Sequence, residues 1–171
     1  MKKLIKKLTM FALAFIIMGG AFAISAENSE AFAATNKARV YAELKASGYS
    51  KAAAAGIMAN IKHESNYNPN AGRGAYGLIQ WTGSRKRALK RYAKSKKLSY
   101  KSVKAQIGYM NKELKSGYKG LYKHLKTVKN NKSGAYKAAH KFCYDFERPA
   151  NKSSRSKKRG NTAKKIYSNL A

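Results

Sequence analysis

Carboxylates are scarce in this chain. Against 37 lysines and arginines stand seven aspartates and glutamates, and Glu27 and Glu30 fall in an N-terminal stretch with the look of a processing segment. The others are Glu43, Glu64, Glu113, Asp145 and Glu147. Glu64 stands apart. It lies at the expected C-terminal end of a helix, in line with Ile57 and Ile61 at i, i+4 and i+7, which puts it on the core-facing stripe. Burial and the negative end of a helix dipole both disfavour an ionised carboxyl. A carboxylic acid that keeps its proton is what protonation of a glycosidic leaving oxygen requires. A Gly-rich segment follows directly, with Gly72, Gly74, Gly77 and Gly83. Its small residues would let a polymer backbone approach, and Tyr76, Gln80 and Trp81 can stack on sugars or hydrogen-bond to them. The competing reading makes Glu64 a solvated helix-end residue or the partner of a lysine.

Glycosidases usually use two carboxyl groups, and the sequence leaves the second open. Glu147 precedes Arg148-Pro149 and reads as the partner of Arg148. Asp145, four residues from Lys141, reads as half of a surface ion pair, and Glu113 as the partner of a lysine. His63 adjoins Glu64 but points about 100° away on a helix, toward solvent. His140 and Cys143 have the spacing of a cysteine-peptidase pair, yet Cys143 shares a stripe with Phe142 and Phe146. It therefore reads as a buried, inert thiol. His63, His124 and His140 lack zinc-type spacing, so neither metal nor cofactor is expected.

The elements that must position these groups are helical nearly throughout. Thr35 can cap a helix carrying Val40, Tyr41 and Leu44 and closing at Gly48. Ser50 can cap a second, from Lys51 to about Glu64, with Ala53, Ala54, Ile57 and Ile61 on one stripe. Residues 66–83 break the pattern with the composition of a turn or hairpin. Further helices are expected over about 85–94, 102–115 and 134–147, the last stopped by Pro149. The Ser/Lys-rich run 151–159 reads as a solvated loop, and a final helix begins near Asn161 or Thr162. The expected fold is mainly α: one helical domain with a short Gly-rich hairpin or loop after its second helix.

The first 34 residues have the layout of a secretory signal peptide. Lys2, Lys3, Lys6 and Lys7 precede an apolar run from Leu8 to Ile24. Ala21-Phe22-Ala23 and Ala31-Phe32-Ala33 are candidate cleavage motifs, and the second is preferred. Residues 27–34 look unstructured. The division is then 1–34 signal and 35–171 domain, with a secreted, extracellular or wall-associated product. The single cysteine forbids an internal disulfide, so core packing alone must hold the exported domain.

Four blocks, in order, carry a resemblance to a known family. The run from Ala55 to Pro69, which contains His63-Glu64-Ser65-Asn66, resembles the core motif of the phage-tail-type lysozymes. Gly74 to Arg85 is similar to that family's second motif, and Gly77-Leu78-Ile79-Gln80 also resembles the Gly-Leu-x-Gln signature of goose-type lysozymes and lytic transglycosylases. Gln106 to Leu114 and Phe146-Glu147-Arg148-Pro149 resemble its later blocks, so the likeness spans about Tyr41 to Tyr167. The resemblance implies a lysozyme-like fold. It places Glu64 as the catalytic glutamate and Tyr76 and Gln80 in the glycan cleft. The reaction implied is cleavage of the β-1,4 bond between N-acetylmuramic acid and N-acetylglucosamine in peptidoglycan. Hydrolysis and transglycosylation both remain open.

A formal net charge of +30 calls for polyanionic partners, and outside a cell those are wall polymers such as teichoic acid, or anionic lipid headgroups. No base-reading motif accompanies the charge, and an export signal argues against nucleic acid. The chain is expected to be a monomer acting on peptidoglycan glycan strands. The rival reading is a cationic wall- or membrane-binding antimicrobial protein without enzymatic activity.

Overall fold

The computed structural model describes residues 31–170. The chain divides into two compact units, Met1–Thr35 and Asn36–Ala171. The signal peptide expected over 1–34 falls almost wholly outside the described residues. Of the first unit, residues 31–35 are helical. Thr35 is therefore no cap: its hydroxyl donates to the Ala31 carbonyl at 2.9 Å, as in a helix interior.

The second unit begins with α1, residues 36–46, which buries Val40 and Leu44. Gly48, at φ +75°, turns the chain out of it. Ser50 then caps α2 (Lys51–Ser65), its hydroxyl accepting from the Ala53 N–H. Every residue from Ala52 to Ile61 is buried, not one stripe only. Five alanines and a glycine make this helix thin enough to be packed from several sides. α6 (Lys132–Phe142) and α7 (Lys152–Asn169) both pack against it and against each other. α6 crosses at Gly56, where a Cβ would lie 2.5 Å from Ala138 Cβ and 2.7 Å from the Ala139 backbone nitrogen. Gly56→Ala is therefore expected to destabilise by about 1–3 kcal/mol through overpacking. That outweighs the roughly 1 kcal/mol gained in helix propensity. Thermal denaturation should show Tm falling by several degrees.

The remaining helices are α3 (Gly83–Ser95), α4 (Val103–Gly117), capped by Ser102, and α5 (Lys119–Thr127). α5 is not among the helices expected from the sequence; its inward residues, Leu121 and Leu125, are only two. Between α2 and α3 the expected hairpin is reduced to a single antiparallel bridge, Tyr76 with Trp81. The buried Gln106 of α4 holds this loop by its amide. It accepts from the Leu78 N–H at 2.8 Å and donates to the carbonyls of Pro69 (2.7 Å) and Tyr100 (3.0 Å). Gly77, at φ +79°, is required there, because a Cβ would sit 2.6 Å from Gln106 Oε1.

Two expectations need correction near the C-terminus. Residues 151–159 are not a loop: α7 starts at Lys152 and turns Ser156, Arg159, Gly160, Ala163 and Ile166 inward. The inward positions of its first half are polar or glycine, so no apolar periodicity marks them. The helix expected over 134–147 changes character at its end. Cys143–Glu147 form a wider turn of π-helix, and Arg148 leaves it at φ +47°. The extra residue in that turn rotates Glu147 away from its α-helical position. The fold is mainly helical, as a lysozyme-like domain requires.

Candidate active site

The end of α2 delivers Glu64, and Ser65 fixes that end to the loop. Its hydroxyl is 2.9 Å from the Leu78 carbonyl it donates to. The Glu64 side chain is 20 % exposed. Its partner comes from the stretch expected to be a solvated loop. The Arg159 guanidinium donates through Nη2 to Glu64 Oε1 at 2.5 Å and through Nη1 to Asn60 Oδ1 at 2.9 Å. Asn60, one helical turn before Glu64 and fully buried, donates its amide to the carbonyls of Gly56 (3.0 Å) and Ala139 (3.1 Å). One polar chain thus joins α2, α6 and α7. The apolar surroundings expected for Glu64 are replaced by an ion pair with a buried arginine.

A second arginine holds a second carboxylate. Arg85 of α3 donates to Glu113 of α4 through Nε (2.7 Å) and Nη2 (3.0 Å), and the Trp81 indole N–H adds a third donor at 2.8 Å. Glu113 is therefore not a lysine's partner. The Arg85 guanidinium also lies 4.8 Å from the centre of the Phe146 ring, within electrostatic reach of the Glu147 carboxyl.

Glu147 is the acid that sequence reasoning passes over. Its Oε1 is buried with no hydrogen-bond partner among the described residues. Arg148 donates instead to the Asp145 carbonyl. Burial, and then the negative charge of Glu64, push the Glu147 carboxyl up to about 8; Arg159 and Arg85 pull the other way, and Glu113 adds to the rise. Three carboxyl groups thus gather around two arginines in a chain that has few acids to place. Nothing local signals this. Only the π-turn, absent from any periodicity argument, turns Glu147 toward Glu64.

The raised value has a consequence for stability. Folded Glu147 keeps its proton between the ordinary carboxylate range and about pH 8, while the unfolded chain loses it. The folded state binds more protons there, so stability must fall as pH rises through that window and level off above it. The slope from this group reaches at most about 1.4 kcal/mol per pH unit. Glu147→Gln is expected to flatten the dependence of Tm on pH between about 5 and 8, measured by circular dichroism.

The loop residues separate into two groups. Tyr76 is half-buried, with its ring 5.4 Å from that of Tyr100 and its hydroxyl donating to Asn70. Gln80, at φ +52°, folds its amide back onto the carbonyls of Gly77 (2.8 Å) and Ala71 (3.3 Å). Trp81 is 1 % exposed and packs on Tyr109, so its ring has no open face for a sugar. It braces Glu113 instead of meeting a glycan. Away from this centre, Asp145 pairs with Lys141 at 2.8 Å, and His63 is exposed, 3.0 Å from the Thr162 hydroxyl. Cys143 is buried, and burial pushes its thiol up, away from the reactive thiolate. Among the described residues no group of three or more histidines, cysteines or acids gathers as a metal site.

A search of curated proteins gave no match. A scan of protein families matched the phage tail lysozyme model over residues 35–170, nearly all of the second unit. The end of α2, the loop behind it and the helices that close on Glu64 all lie inside the matched span. The chain belongs to the phage tail lysozyme family, and with that it is a peptidoglycan hydrolase acting on the cell wall.

Proposed function

We propose that this protein is an exported muramidase that cleaves the β-1,4 bond of the glycan strand, with Glu64 giving the proton to the leaving oxygen. The observation that carries the reading is the convergence of Glu64, Glu147, Arg159 and Arg85 at the end of α2, beside the glycine-rich loop. Glu64 is the carboxyl placed to meet a glycan: a fifth of its side chain stays accessible, while Oε1 of the half-buried Glu147 is shut away from solvent. Arg159 occupies Oε1 and fixes the direction of the group. A neutral Glu147 behind it adds no negative charge to the site. Tyr76 and Gln80 line the approach to the cleft, and the sugars meet them along the loop.

The first 34 residues act as the export signal in this reading. The charge pattern from Lys2 to Ile24 supports it, as does the start of the family match at residue 35. Among the described residues no helix is long and apolar enough to cross a membrane. The cationic surface holds the enzyme on teichoic acid and other anionic wall polymers, with an affinity that falls as salt rises. The activity is bacteriolytic.

The test is mass spectrometry of the soluble products released from purified peptidoglycan. Muropeptides with a reducing N-acetylmuramic acid end establish hydrolysis of the proposed bond. Anhydro-muropeptides would make the enzyme a transglycosylase. Free peptides or amines without new sugar ends would contradict a glycosidase altogether.

A further inference from the structure

Arg159, the ion-pair partner of Glu64, also lines a cavity of about 810 Å³, together with His63 of α2 and the first two turns of α7. Arg155, Lys158 and Arg159 face it together with the hydroxyl-bearing Ser153 and Ser154, and no carboxylate lines it. Arg159 is committed to Glu64 and Asn60, while Arg155 and Lys158 have no acidic partner among the described residues. The crowding of cations is felt by His63. Partial desolvation first, and then Arg159, Lys158 and Lys62, lower its affinity for a proton. Like charges held together around an open cavity form a site prepared for an anion, and guanidinium and hydroxyl donors suit carboxylate oxygens.

Which anion is set by place. The cavity shares Arg159 with Glu64, so a group that hangs from the glycan next to the bond being cut is within reach of it. In peptidoglycan each muramic acid carries a peptide stem on its lactyl ether, beside that bond, and the stem bears free carboxylates. Phosphate of a teichoic acid is the alternative anion, but it is attached to few muramic acids. We propose that this cavity binds the carboxylates of the peptide stem, so that the enzyme prefers peptide-bearing glycan to bare glycan. The proposal rests on the muramidase reading for its placement next to the scissile bond.

The experiment compares the full-length wild type with Arg155→Ala/Lys158→Ala. Lys96→Ala/Lys112→Ala removes the same charge from a separate hollow between α3 and α4. Initial rates of reducing-end release are measured on peptidoglycan strands and on the same strands stripped of stems by an amidase. Loss of two charge-assisted contacts should lower kcat/KM about tenfold on peptide-bearing strands. Rates on stripped strands, and both rates of the control, should stay unchanged. An equal loss on both substrates overturns the proposal.

A binding arm separates failure of this proposal from failure of the muramidase reading. A soluble stem tetrapeptide and a glycerol-phosphate oligomer are titrated into each protein by calorimetry. Tetrapeptide binding lost only in Arg155→Ala/Lys158→Ala supports the proposal even if neither strand is cleaved, an outcome that would sink the muramidase reading alone. Binding of the phosphate oligomer without the tetrapeptide, or of neither, overturns it.

Discussion

Glu64→Gln is expected to lower glycan cleavage by about 10²–10⁴-fold, the range for removing a positioned proton donor, while leaving the fold in place. Glutamine has the same shape and keeps an oxygen at the position of Oε1, so the Arg159 Nη2 donor retains an acceptor. What it lacks is a proton to give. Ser65 still ties the helix end to the loop through Leu78, and Asn60 still holds α2 to α6. The rate should therefore fall with a small change in Tm, and binding to whole peptidoglycan in a sedimentation assay should be nearly unchanged, because the substitution leaves all 37 lysines and arginines in place. A mutant that cleaves at the wild-type rate would leave Glu64 a structural residue.

Arg159→Ala is expected to be the most damaging single change to stability. Arg159 is 4 % exposed, and its two donors satisfy one buried acceptor on Asn60 and one partly buried carboxylate on Glu64. Removing it strands both. Breaking a fully buried ion pair costs about 3–5 kcal/mol. The residual accessibility of Glu64 gives it some water and sets the expectation near the lower end, about 3 kcal/mol. For a domain of this size that is a fall in Tm of about 10 °C. Arg159→Lys should recover part of the stability, since an ammonium supplies the charge but not a fork that spans Asn60 and Glu64 at once. Loss of the Tm effect in an Asn60→Ala/Arg159→Ala double mutant cycle would show that the two act as one unit. A loss below about 1 kcal/mol, the range of an exposed pair, would contradict the bridging role.

What the sequence discloses and what it withholds differ in kind. Ser50 marks a helix start because a capping hydroxyl is a local device, and Gly48 marks a helix end because its left-handed turn is local too. Glu64 is visible because apolar spacing along α2 points to it. The glycine-rich break after α2 is visible too, although its bridge is shorter than a hairpin. The first half of α7 is hidden because it faces the core with Ser156, Arg159 and Gly160, which an apolar count reads as solvated. Arg159 is lost with it. Glu147 is hidden by the π-turn: one extra residue per turn changes which side chains face inward, and composition carries no trace of that. Trp81 is expected at a sugar because aromatic rings suit sugars, yet a ring of that size is equally able to fill a core and brace Glu113. For Arg159 and Trp81 the missing information is a partner brought from another helix, and for Glu147 it is the geometry of its own turn.

Whether proton donation by Glu64 cuts the glycan is the central question, and one comparison answers it most directly. Wild type and Glu64→Gln, matched for folding by circular dichroism, are incubated with purified peptidoglycan, and the soluble products are identified by mass spectrometry. The expected result is muropeptides with new sugar ends from the wild type and almost none from the mutant. Equal release from both, or lysis of cells by both without any muropeptide, would contradict a catalytic Glu64 and leave positive charge as the agent.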